Sequence, residues 1–197
     1  MTVIYFVRHC QADNANRDDK NRPLTEKGMA DRALVTDYLA DKAIDVVLSS
    51  SYKRTIDTVA DFAEKNGFEI EAVEDFRERE HGSVWLSGAN ALSSIKEQWE
   101  KQWADFSYKA SSDGENLDEV QRRNIDALND VLARYAGKNV VIGTHGMALS
   151  TIINYYDNAY GYQGFMDMVF KTPWVVKMTF DGNVFVEMEK IDLLPQN

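Results

Sequence analysis

Three apolar runs in this chain each stop abruptly at polar residues able to do chemistry. Val3 to Val7 runs into Arg8-His9, Asp45-Val46-Val47-Leu48 into Ser49-Ser50-Ser51, and Asn139 to Thr144 into His145-Gly146. Runs of this length read as buried strands. Helical patterns lie between them. After a polar loop from Gln11 to Arg22, Pro23-Leu24-Thr25 opens a helix with Thr25 as N-cap and Met29, Ala33, Leu34 and Tyr38 near one face. A second helix carries Ile56, Val59, Ala60 and Ala63 on its apolar side and closes at Asn66-Gly67. A long helix over about 116–136 holds Leu117, Val120, Leu128, Leu132 and Tyr135, and another runs from Gly146 to about Tyr156. Such alternation predicts an α/β chain, a three-layer α/β/α arrangement with a mostly parallel central sheet. Phe68 to Val73 alternates as a further strand. Val175 to Phe180 and Val184 to Met188 alternate around Asp181-Gly182, which predicts an antiparallel C-terminal hairpin. Leu92, Ile95, Trp99 and Trp103 recur at helical spacing, so a small helical cap is expected over about 91–104. The chain reads as one domain, 1–197, with about 79–115 as a cap or specificity insertion.

Ligands of open α/β sheets bind beyond the carboxyl ends of the strands. If the three strands are parallel, Arg8-His9, Ser49-Ser50 and Thr144-His145 share one edge. The chain has three histidines, and two of them sit at these ends. Arg54 falls in the first turn of the second helix, where free N–H groups and the helix dipole favour anions. Its planar fork matches phosphate oxygens, and Arg8 adds a second fork. The net charge of −10 argues against nucleic acid or an anionic membrane as the main partner. It leaves room for a small phosphorylated substrate in a local basic pocket. No apolar segment is long enough for a signal peptide or a membrane span. The single cysteine, Cys10, excludes an intrachain disulfide and fits a reducing cytoplasm. It reads either as a small buried side chain or as a thiol whose oxidation blocks His9.

Val7-Arg8-His9 resembles the opening signature of the histidine phosphatase (phosphoglycerate-mutase-like) superfamily. Four later segments are similar to family motifs in the same order. They are Pro23-Leu24-Thr25-Glu26-Lys27-Gly28, the run from Ser49 through Arg54 to Thr58, Phe76 to Gly82 as an acid-bearing loop, and Val140 to Gly146. Ser112-Asp113-Gly114-Glu115-Asn116 resembles a further family loop. The resemblance implies a phosphomonoester hydrolase with His9 as the nucleophile forming a phosphohistidine. Arg8 and Arg54 would be phosphate ligands, His145 a further ligand acting as a charged donor, and Glu78 the general acid and base. Arg77 and Arg79 flank Glu78 and could instead pair with it. Gln11, Asn16, His81 and Gly146 are the substrate-binding candidates. There are departures: Cys10 and Ala12 replace the usual small and hydroxyl residues, and Ala15 stands where the family carries asparagine, leaving Asn14 or Asn16 to substitute. No metal or cofactor is implied, and a monomer or homodimer is expected. A mutase is the alternative, and a non-catalytic phospho-ligand module a lesser one. Only 67 positions separate Glu78 from His145, room for one or two cap helices, which favours hydrolysis. For the leaving group, Lys96, Lys101 and Lys109 are candidate anion contacts. Trp85, Trp99, Trp103, Phe106 and Tyr108 are a candidate apolar mouth.

Overall fold

The computed structural model describes residues 1–83 and 92–194. In chain order its elements are β1 (Thr2–Arg8), α1 (Glu26–Leu39), β2 (Val46–Ser49), α2 (Lys53–Asn66), β3 (Ile70–Ala72), α3 (Leu92–Ala104), α4 (Leu117–Arg134), β4 (Asn139–Thr144), α5 (Gly146–Tyr156), α6 (Tyr162–Met168), β5 (Trp174–Asp181) and β6 (Val184–Asp192). The six strands form one sheet in the order β3-β2-β4-β1-β5-β6. The first four in that order are parallel, and β5 and β6 add antiparallel pairs at one side.

Alternation along the central strands builds two cores. Ile4, Phe6, Leu48, Val140 and Ile142 face α4 and α5, while Tyr5, Val7, Val47 and Val141 face α1 and α2. This is the three-layer arrangement that the uninterrupted apolar runs require, because both strand faces are buried. Trp99 and Trp103 of α3 pack edge-on and tilted against Phe165 of α6. Trp103 also meets Phe106 and Tyr160, so it serves the core rather than a mouth. Trp85 lies outside the described residues.

Two elements differ from expectation. The buried face of α1 is Gly28, Val35, Thr36 and Leu39, whereas Met29 is 42% exposed and Ala33 is exposed. The reason is polar: Thr36 donates from its hydroxyl to Asp61 Oδ2 of α2 at 2.7 Å, so a threonine takes a position that apolar spacing gives to its neighbours. The second difference is α6. Its two turns are too short to show periodicity, and Gly161 precedes it.

Thr25 caps α1 as expected, accepting from Gly28 N at 3.0 Å. Thr25 N also donates to Gln11 O at 2.9 Å, which brings the helix start against the loop after β1. A Cβ on Gly28 would lie 2.1 Å from Gln11 O, so only glycine fits. Gly28→Ala is expected to cost about 3 kcal/mol through overpacking and to lower Tm in thermal unfolding. A Tm equal to wild type would contradict the close approach.

Candidate active site

The parallel register brings the three strand ends together. Arg8 lies opposite Thr144, and Ser49 opposite Gly143. His9 N donates to Thr144 O at 3.1 Å, and Ser50 N donates to Gly143 O at 2.8 Å. The rings of His9 and His145 then meet edge-on with centroids 5.4 Å apart. A cavity of about 490 Å³ opens at this edge. Arg8, His9, Arg54 and Glu78 line it, together with Gln11, His81 and Gly146.

His9 Nδ1 lies 2.7 Å from Cys10 O. A carbonyl only accepts, so Nδ1 carries the proton and the neutral ring keeps its lone pair on Nε2. Burial, then Arg54, then Arg8 hold the His9 imidazole well below the ordinary histidine range, and so neutral. The loop is fixed from α2: Cys10 N donates to Thr58 Oγ1 at 2.9 Å, and that hydroxyl donates to Arg54 O at 2.7 Å.

His145 is fully buried and is not part of the cavity wall. It lies behind His9, with Nε2 2.8 Å from Ser50 Oγ. Ser50 Oγ also accepts from Tyr52 N at 3.3 Å, and among the described residues Nδ1 of His145 has no partner. Burial, Arg54 and His9 hold His145 well below the ordinary histidine range, which favours a neutral ring over the expected charged donor.

The two arginines are held differently. Arg54, 2% exposed, pairs with Asp19 Oδ1 at 3.3 Å and also donates to the Asp19 carbonyl. Arg8 reaches the C-terminal end of α6, donating to Met168 O (2.7 Å), Val169 O (2.8 Å) and Lys171 O (2.9 Å). Its guanidinium lies against Gly146, where a Cβ would come within 3.2 Å of Nη2. Among the described residues, buried Arg8 Nε, Arg54 Nε, Arg79 Nε and His145 Nδ1 have no hydrogen-bond partner. Buried donors of this kind are satisfied by anionic oxygens.

Glu78 does not pair with its neighbours. Arg77 bonds Glu80 and Glu115, and among the described residues neither Arg77 nor Arg79 makes an ion pair with Glu78. The Glu78 carboxylate instead meets the N-terminus of α5. Oε1 accepts from Ala148 N (3.0 Å) and Arg79 N (2.8 Å), and Oε2 from Met147 N (3.0 Å). A carboxyl group has about four positions for a donor or for its own proton, so Oε2 keeps one that is open.

Other expected residues fall in different places. Asn16 is outside the wall: its side chain accepts from Asp18 N and its carbonyl from Arg22 Nε, so it shapes the loop while Asn14 lines the cavity. Gln11 Oε1 accepts from Thr25 Oγ1 at 2.8 Å. Lys101 bonds Glu97, and Lys109 bonds Glu119, and neither reaches the cavity. Arg17, Arg22 and Arg79 supply its further positive charge, with Arg79 only 3% exposed and its Nη2 2.9 Å from His81 Nδ1. The opposite wall is apolar, from Ile95, Trp99, Phe165, Val169 and Phe170. Sequence spacing gave no hint of Arg22 or Phe170. Arg79 carries a signal, since it adjoins Glu78, but adjacency alone equally allows it to pair with that carboxylate.

Cys10 is fully buried, and burial pushes its thiol up to about 12. The oxidisable-thiolate reading is therefore disfavoured. A thiol-reactive disulfide reagent at pH 7 is expected to label Cys10 only after denaturation. Rapid labelling of the native protein would contradict this.

Burial also lowers His81, with Arg79 adding to it, so all three histidines are held neutral. The unfolded chain takes up protons below about pH 6.5 that the folded chain refuses, so stability falls as pH drops through that value. Each such proton contributes a slope of about 1.4 kcal/mol per pH unit. Urea unfolding at pH 7.5 and 5.5 checks this, and a flat profile would contradict it.

Among the described residues no helix is long and apolar enough to cross a membrane. Comparison with known proteins gives consistent relationships. A Yersinia pestis protein named "Probable phosphoglycerate mutase GpmB" is 29% identical over 159 residues, covering 78% of this chain and 74% of that one. The fold matches YhfR of Bacillus stearothermophilus, with TM-score 0.73 at 23% identity over 94% of this chain and 95% of that one. It also matches a phosphoserine phosphatase of Entamoeba histolytica in complex with 3-phosphoglyceric acid. That TM-score is 0.76 at 16% identity, over 99% and 100% of the two chains. The family model of the histidine phosphatase superfamily (branch 1) matches residues 4–189 and so takes in every strand end described above. With nearly the whole chain inside that match, the protein belongs to the histidine phosphatase superfamily.

Proposed function

We propose that the protein is a phosphomonoester hydrolase that acts through a phosphohistidine on His9. The observation that carries this reading is the Nδ1 contact to Cys10 O, which leaves Nε2 of a neutral ring as the attacking atom. Nε2 attacks phosphorus, and the bond from phosphorus to the ester oxygen breaks. Arg8 and Arg54 offset the charge on the phosphoryl oxygens through their unpartnered Nε atoms, and His145 supports His9 from behind. Glu78, entering the cycle protonated at the open position of Oε2, donates that proton to the departing alcohol. It then takes a proton from the water that attacks the phosphohistidine, returning His9 to its starting state. No step draws on a metal ion, and the arginines that line the cavity repel divalent cations.

The leaving group on this reading is small and carries a second anion. Arg79 is buried beside Glu78 and forms no ion pair among the described residues. It is therefore placed to meet a carboxylate or second phosphate. Neighbours of this fold are named as complexes with phosphoserine and with 3-phosphoglyceric acid, which are esters of that kind. The short cap favours water over a second acceptor, whereas a mutase must hold its phosphorylated product and exclude water. We further propose that residues 1–197 act as one unit, with 79–115 setting specificity.

Incubation with 3-phosphoglycerate and a bisphosphoglycerate primer separates the two chemistries. Phosphate release outrunning isomerisation is expected, also in the presence of EDTA. Isomerisation outrunning phosphate release would make the protein a mutase. In the same assay, Arg79→Gln is expected to lower kcat/KM for an anionic ester about tenfold while sparing propyl phosphate. An equal loss on both would overturn the second-anion role.

A further inference from the structure

Behind the segment that carries Glu78 lies an ion pair that none of these roles uses, Glu115 with Arg123. Arg123 projects from α4, and Glu115 precedes Asn116, whose capping box fixes the start of that helix. The two groups meet side by side, Nε on Oε1 and Nη2 on Oε2, both at 2.8 Å. The remaining donors of Arg123 go to backbone carbonyls: Nη1 to Asp75 O (2.7 Å) and Arg77 O (2.9 Å), Nη2 to Glu78 O (3.1 Å). A guanidinium has five N–H donors, and these bonds use all of them. Glu115 is equally committed. It also accepts from Arg77 Nη2 (3.0 Å) and Glu80 N (2.9 Å), and its own N–H donates to Glu80 O at 2.9 Å.

The consequence is local and directional. Backbone groups before and at Glu78 are bound by Arg123 of α4 and those of Glu80 after it by Glu115, while the Glu78 side chain is bound by the first N–H groups of α5. Glu78 is thereby strung between two helices. Its lateral position is set by a planar fork that lysine cannot reproduce. Both side chains of the pair are largely buried, 13% and 12% exposed, so water does not readily replace these bonds.

We propose that Glu115 and Arg123 form a positioning unit that places the Glu78 carboxyl at the leaving-group oxygen. This rests on the reading of Glu78 as the proton donor, and the test separates the two. Full-length Arg123→Lys, Glu115→Gln and Glu78→Gln are assayed for kcat/KM, which reports events up to departure of the leaving group. The substrates are phosphoserine, whose alkoxide needs a proton, and 4-nitrophenyl phosphate, whose phenolate does not. Arg123→Lys and Glu115→Gln are expected to lose about 30-fold on phosphoserine, part of the 10²–10⁴ available to general acid catalysis, and less than about 3-fold on the aryl ester. Affinity for inorganic phosphate should stay within about twofold. If Glu78→Gln shows this split and the two positioning variants do not, the positioning role is overturned alone. If Glu78→Gln itself shows no split, the proton-donor reading falls, and the positioning role with it. Glu115→Gln is isosteric and keeps one of the two acceptor oxygens while removing the charge, so it decides the question should Arg123→Lys fail to fold.

Discussion

His9→Ala removes turnover, with kcat expected to fall by at least about 10⁴-fold, while the protein still binds phosphate. The size follows from the geometry. The ring sits at the sheet edge with its Nδ1 proton committed to Cys10 O, and among the described residues no other strand end carries a histidine that lines the cavity. His145 cannot replace it, because its Nε2 is engaged by Ser50 Oγ and it lies outside the cavity wall. The fold should survive, since the backbone bonds of His9 and Cys10 to Thr144 and Thr58 do not involve the imidazole. Steady-state kinetics beside thermal unfolding tests both halves. Retained turnover, or a collapse of Tm, would contradict the assignment.

Arg54→Gln is the second large effect, about 10³-fold in kcat. A glutamine keeps a donor amide but removes the charge that faces the transferred group. Asp19 keeps Arg22 as a partner at 3.0 Å, so the loop between β1 and α1 stays neutralised and Tm should change little. The same substitution at Arg8 is a poorer probe. Arg8 holds three carbonyls at the end of α6, and its loss strips buried backbone acceptors as well as charge. The pH profile adds a sign test. A histidine with an ordinary pKa would be half protonated near pH 6.5, and its reactivity would fall below that. Because burial and the two arginines depress His9, kcat/KM of the wild type should hold through pH 6.5, with its acid limb well below. Arg54→Gln should move that limb upward.

The parallel sheet and its reactive edge were legible because apolar runs ending at Arg8-His9, Ser49-Ser50 and His145 report burial and topology together. Family motifs then singled out Glu78, which spacing alone left equal to Glu80. Other features were hidden for physical reasons. The two turns of α6 carry too few residues for a period, yet their carbonyls determine how Arg8 is held. The charge state of His145 depends on burial, which a motif does not express. Arg79 and Arg123 look alike in sequence, as arginines near acids. Tertiary placement turns one toward the cavity and the other onto the backbone of the acid loop. The buried side of α1 departs from its apolar spacing because Thr36 finds Asp61 across the helix pair, a contact no hydropathy pattern encodes.

The phosphohistidine itself is open to direct observation. Glu78→Gln, slowed in the hydrolytic step, is mixed with a phosphomonoester, quenched in base to preserve the phosphoramidate bond, digested and analysed by mass spectrometry. One acid-labile phosphoryl group on the peptide containing His9, absent when His9 is also replaced, is the result expected. Phosphate release with no labelled peptide, or a label on any other residue, would contradict the mechanism.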